Sequence, residues 1–121
     1  MAPFDSENYV APAITPSHPP RVESEVVRTL RAAKEKISKA ECWLKVDFGN
    51  HERGQHCTLG AVIDVSCYQF GGGTHDRAIA LLDACTPAGH PSAMLFNDAE
   101  ATTHADVMSL FDRAISLAQE G

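Results

Sequence analysis

Aromatic side chains are scarce in this chain: they fill 7% of 121 positions, and there is a single tryptophan. The core must therefore be mainly aliphatic, with the few aromatics acting as anchors. Positive charge is also short, at 10 Lys or Arg against 16 Asp or Glu, a formal net charge of −6. That balance argues against nucleic acid or an anionic membrane surface as the main partner. No apolar run approaches the ~20 residues of a membrane-spanning helix. The N-terminus shows no basic region followed by an apolar run, so a secretory signal is not expected. Cys42, Cys57, Cys67 and Cys85 are then expected as reduced thiols of a cytoplasmic protein. No Cys-x-x-Cys pair occurs. The Gly71-Gly72-Gly73 run lacks the Lys and Ser/Thr that would make it a phosphate loop. No cofactor and no metal are expected.

What remains suffices for one domain. The apolar fraction is 44%, ordinary for a globular chain. Charge is unevenly spread. Residues 21–45 hold seven Lys or Arg against four Asp or Glu, and the rest of the chain holds three against twelve. Five of the seven prolines fall within residues 1–20. Proline density of that order prevents a helix or a central strand. Residues 1–21 are therefore read as an extended arm with Phe4, Tyr9, Val10 and Ile14 as apolar handles. Such an arm is a route to homo-oligomerisation.

Residues 22–121 read as a single compact domain, all-α or mainly α, of four helices. The first is expected over 22–42, with Ser24 as N-cap and Val26, Leu30, Ala33, Ile37, Ala40 and Leu44 as its stripe. The second, Cys57–Phe70, is the most apolar window. On a helical wheel Leu59, Ile63, Ser66 and Phe70 face the core, with Val62 and Val65 beside them. Cys57, Gly60, Ala61, Asp64 and Tyr68 fall opposite. A third helix is expected over 75–86, capped by Thr74, with Ala78, Leu81, Leu82 and Cys85 inward. The last opens at Thr103, with Asp106 in capping-box register and Val107, Leu110, Phe111, Ala114 and Ala118 buried. Residues 43–56 read as a polar connection, with a short hairpin possible in which 43–48 form one strand. Trp43 anchors it to the core. Residues 87–102 read as a loop.

Three features together carry a resemblance: Trp43 after the first helix, Cys57-x-x-Gly60-Ala61 entering the second, and Phe96-Asn97-Asp98 before a helix of the form Thr-x-x-Asp-Val-x-x-Leu-Phe. Over roughly residues 26–118 the chain resembles a family of short bacterial and phage proteins known as a domain of unknown function. The usual Trp-Asn-Asp of such sequences is Phe96-Asn97-Asp98 here. The resemblance implies a compact helical domain and brings no activity with it.

Three functions compete. The leading one is a protein-binding module, an accessory or regulatory factor of a phage or mobile element. It would present the arm and a groove of small residues, with Gly60, Ala61, Asp64 and Asn97 as binding positions. The second is a cysteine-dependent hydrolase or transferase. Cys57 at a helix start would be a thiol of lowered pKa, His90 (or His56) the base, and Asp98 or Asn97 the group that orients it. The third is a small zinc domain using Cys42, His51, His56 and Cys57, although this spacing matches no standard finger. Plainer roles exist for the same residues. A cysteine at a helix start permits tight packing, and Asn-Asp pairs satisfy backbone groups at turns.

Overall fold

The computed structural model describes residues 23–47, 49–69 and 73–120. The proline-rich arm of residues 1–21 lies outside them, as do Phe70 and the side chains of His51, Cys67 and Tyr68. The described chain is mainly α. Its helices are α1 (Glu25–Lys36), α2 (Thr58–Gln69), α3 (Thr74–Cys85), α4 (Ala93–Asp98) and α5 (His104–Glu120). A two-residue ladder pairs β1 (Gly49–Asn50) with β2 (Gln55–His56), antiparallel, with Gly49 opposite His56. Among the described residues no helix is long and apolar enough to cross a membrane.

Helix α1 starts where Ser24 accepts from the Val27 amide and stops earlier than its apolar period suggests. Ile37 leaves helical geometry at φ −118° and ψ 25°. Its carbonyl accepts from His104 Nε2 at 2.7 Å, so a side chain of α5 takes the acceptor that another turn would have used. Lys34 and Lys36 fill the last turn, where cations suit the negative end of the helix dipole. Lys36 pairs with Asp64 of α2 at 2.8 Å.

Helices α1, α2, α3 and α5 pack on one another around a single core. Val27, Leu30, Ala33 and Ile37 meet Val62, Val65, Ala78, Leu82, Leu110 and Phe111 there. Each fully buried aliphatic or phenyl side chain stabilises by about 1.5–3 kcal/mol. The α5 stripe buries Val107, Leu110, Phe111 and Ala114 as expected, with Ala118 only partly buried and Ile115 buried as well. Its start is a reciprocal cap: Thr103 Oγ1 accepts from the Asp106 amide, and Asp106 Oδ2 accepts from the Thr103 amide.

Four further details differ from the sequence reading. Residues 87–102 are not all loop, because α4 forms within them and makes five helices among the described residues rather than four. Ser92 caps it through the Leu95 amide, and Asp83 of α3 accepts from the Ala93 amide at 2.8 Å. The cap of α3 is Gly73 rather than Thr74. The Thr74 hydroxyl instead reaches Glu25. The hairpin within 43–56 is limited to the β1–β2 ladder, and Trp43 makes only an isolated bridge to His56. A side chain at Gly49 would lie 2.8 Å from the His56 ring, so glycine is required there. Finally, α2 buries Val62, Val65 and Ser66 as expected but differs on either side of them. Ala61, placed opposite the core by the wheel, is buried, while Ile63, placed toward the core, is exposed. This helix is apolar nearly all round, so its wheel has little direction to read. Small residues then win the closest contacts between helices.

Candidate functional site

The polar centre of the fold is Asn97, on α4, 1% exposed. Its Oδ1 accepts three hydrogen bonds: from Trp43 Nε1 at 2.7 Å, from the Thr58 amide at 3.0 Å and from the Thr58 hydroxyl at 2.7 Å. Its Nδ2 donates to the Leu44 carbonyl and to Asp98 Oδ1. One carboxamide thus holds the connection after α1, the first turn of α2 and α4 in a single arrangement. Buried amides of this kind are stable only when fully satisfied.

Asp98 extends the network outward. The same Oδ1 accepts from the Val46 amide at 2.7 Å. Lys45 Nζ donates to the Ala99 and Glu100 carbonyls just past α4 and lies over the Trp43 ring. Between these ties Val46 is held at φ +66°, and the residue is 78% exposed. A left-handed conformation is rare for any β-branched residue. Here the surrounding hydrogen bonds impose it.

Val46, Asp47, Cys57, Met94 and Asp98 line a cleft of about 70 Å³ beside this loop. Met94 and the adjacent Leu95 are left exposed by α4. Cys57 forms the buried wall of the cleft. It occupies the capping position of α2: its carbonyl accepts from the Ala61 amide and its sulfur accepts from the Gly60 amide at 3.2 Å. The expectation of a lowered thiol pKa does not hold. Burial raises it above the ordinary thiol value and outweighs the Gly60 and Leu59 amides, while the Asp98 charge pushes it further up. The neutral thiol is the favoured form.

Of the expected catalytic residues, Cys57 and Asp98 share the cleft, and His90 is not among its lining. The His90 ring packs edge-on against Phe96 with centroids 5.0 Å apart. His56 precedes Cys57 but is buried in the hairpin, its ring against Gly49. Among the described residues no imidazole shifts the Cys57 thiol. The expected small-residue groove is closed. Gly60 and Ala61 are buried, and Asp64 is engaged by Lys36. Asn97 is a buried tie rather than an open binding position. Among the described residues no group of three or more His, Cys, Asp or Glu is placed to hold a metal ion.

Sequence reasoning named Cys57 and Asp98 but missed Val46 and Met94. Met94 lay in a supposed loop. Nothing local marks Val46, because its conformation is imposed by Asp98 from 52 positions away. Two wider depressions flank α5. One contains the Lys34–Asp112 ion pair, and the other runs along Cys85, Arg113 and Leu117.

The architecture is therefore a five-helix domain whose polar node sets a small surface cleft. Family comparison gives this class its place: the model of a family of unknown function (DUF6197) matches residues 21–117, and the chain belongs to that family. No curated protein and no solved structure matches it.

Proposed function

We propose that the protein is a polypeptide-binding module whose docking face is the cleft between the 44–47 loop and α4. One observation carries this reading. Val46 is held in a strained conformation that presents its side chain to solvent at the mouth of the cleft, next to exposed Met94. Exposed apolar groups fixed by a rigid polar network are what a recognition surface needs, since pre-ordering lowers the entropy cost of binding. The Trp43, Cys57-x-x-Gly60-Ala61 and Asn97-Asp98 motifs support a bacterial or phage accessory or regulatory factor, acting in a reducing cytoplasm.

The competing reading is a hydrolase or transferase with Cys57 as nucleophile, and the shared cleft of Cys57 and Asp98 speaks for it. Residue-resolved alkylation against pH separates the two. A binding module leaves Cys57 slow to react, with an apparent pKa above the ordinary ~8.5 of a free thiol. Fast modification of Cys57 with an apparent pKa below that value removes the argument against catalysis. A photo-reactive residue at position 46 tests the face itself. Cross-links to a polypeptide should form there, and a probe at Leu117 should not give them.

A further inference from the structure

The cleft's chemistry narrows what it can hold. Its mouth is apolar, through Val46 and Met94, and its polar groups are the two carboxylates of Asp47 and Asp98. Neither carboxylate is neutralised from within the described chain. Asp47 makes no ion pair or hydrogen bond among the described residues, and Asp98 uses one oxygen, Oδ1, for both of its bonds. Lys45, the nearest cation in sequence, is not among the cleft's lining and pairs with neither carboxylate: its Nζ donates to the Ala99 and Glu100 carbonyls and lies over the Trp43 ring. The remaining wall, Cys57, adds no charge, because its thiol stays protonated. The volume of about 70 Å³ is several times the ~10–15 Å³ that one water molecule needs. There is space for an ammonium or guanidinium head.

We propose that this cleft receives a single lysine or arginine side chain of a partner polypeptide. The methylene stem lies along Val46 and Met94, and the cation faces Asp98 and Asp47. Long basic side chains combine an apolar stem with a charged tip, and the cleft combines an apolar mouth with uncompensated negative charge. The inference rests on the binding reading above and deepens it by naming the recognised group.

The test uses the full chain and amide chemical-shift mapping with four probes. These are acetyl-Gly-Arg-Gly-amide, its lysine and glutamate counterparts, and a norleucine counterpart that keeps the stem and drops the charge. The arginine or lysine peptide is expected to shift the amides of Val46, Cys57, Thr58 and Asp98. The other two should not. Affinity should fall about five- to tenfold in an Asp47→Asn, Asp98→Asn double variant. It should also weaken between about 0.01 M and 0.15 M salt, as the screening length drops from ~30 Å to ~8 Å. The carboxamide introduced by Asp98→Asn keeps an oxygen for the Val46 amide, and the spectrum of the free variant reports that the loop is intact. Equal shifts from the norleucine peptide overturn the charge recognition and leave an apolar docking face. Shifts confined to other surfaces, or none from any probe, overturn the proposal, and cross-linking at position 46 then decides separately whether the binding reading survives.

Discussion

Replacing Asn97 with alanine should be among the most damaging single changes in the domain. The loss can be counted group by group. The Thr58 amide and hydroxyl are fully buried, and both lose their acceptor. Trp43 Nε1 and the Leu44 carbonyl lose a partner too, but both residues are half-buried and can turn to water. A buried donor left unsatisfied costs about 1–3 kcal/mol, so two stranded donors plus the lost packing of a carboxamide give about 3–5 kcal/mol. Against a total stability of about 5–15 kcal/mol, the midpoint should drop by about 12 °C or more, at roughly 4–8 °C per kcal/mol for a domain near this size. Trp43 is the only tryptophan and is bonded to the node, so its emission follows the node directly while circular dichroism follows the helices. Asn97→Asp provides the contrast. Its oxygens can still accept from Trp43 and Thr58, so it should be milder at low pH. It should worsen as its carboxylate ionises beside Asp98. Urea melts placing Asn97→Ala within about 1 kcal/mol of the wild type, the low end of that penalty, would refute the reasoning, because they would mean that water replaces the carboxamide freely.

Val46→Gly removes the left-handed strain without losing buried surface. Strain of about 1–2 kcal/mol less a backbone-entropy cost of about 0.5–1 kcal/mol predicts a slight gain in stability, read by urea denaturation, together with weaker binding of the arginine peptide. A marked loss of stability would show that the valine side chain packs. Thr29 Oγ1 is fully buried and has no hydrogen-bond partner among the described residues. Thr29→Val should stabilise by about 1 kcal/mol, and a lower melting temperature would point to a bonded water at that hydroxyl. The Asp106 carboxyl is held below its ordinary pKa by the Thr103 amide and hydroxyl. A depressed folded-state pKa contributes stability above the unfolded value of about 3.9 and loses it as pH falls through the folded value. Asp106→Ala should therefore melt lower than wild type at about pH 7, and the gap should narrow as pH falls below about 4. A gap independent of pH would assign the effect to helix propensity. Cys57→Ser should keep the fold, because a hydroxyl caps the Gly60 amide as well as sulfur does. Unfolding of that variant would show that the sulfur's bulk matters more than its cap.

Much of the helical frame was legible because its signals are local. The α5 stripe and its Thr103–Asp106 cap are contained within a few turns of chain, and so is Ser24 at the start of α1. What was missed depends on distant partners. Helix α4 has six residues, too few for a period, and it relies on Asp83 across a loop. The wheel of α2 placed Val62, Val65 and Ser66 correctly but misled at Ala61 and Ile63, because nearly every position is apolar. Asn97-Asp98 was readable as an Asx pair serving backbone groups. That it gathers Trp43, Leu44, Val46 and Thr58 could not be read, since hydrogen bonds across 39 to 54 positions leave no pattern in the sequence. The same holds for the cleft: Cys57 and Asp98 stood out by type, whereas Val46 became notable only through its conformation.

The Thr58 amide lends this tie a clock. First-turn amides of a helix have no partner in their own helix and ordinarily surrender their hydrogens to solvent early. This one is bonded to a side chain 39 residues further along. Its proton leaves only when α4 lets go of α2, so its exchange time is the lifetime of the assembled node. One resonance in a deuterium-exchange series would thus record how often the loop, the helix start and the cleft come apart together.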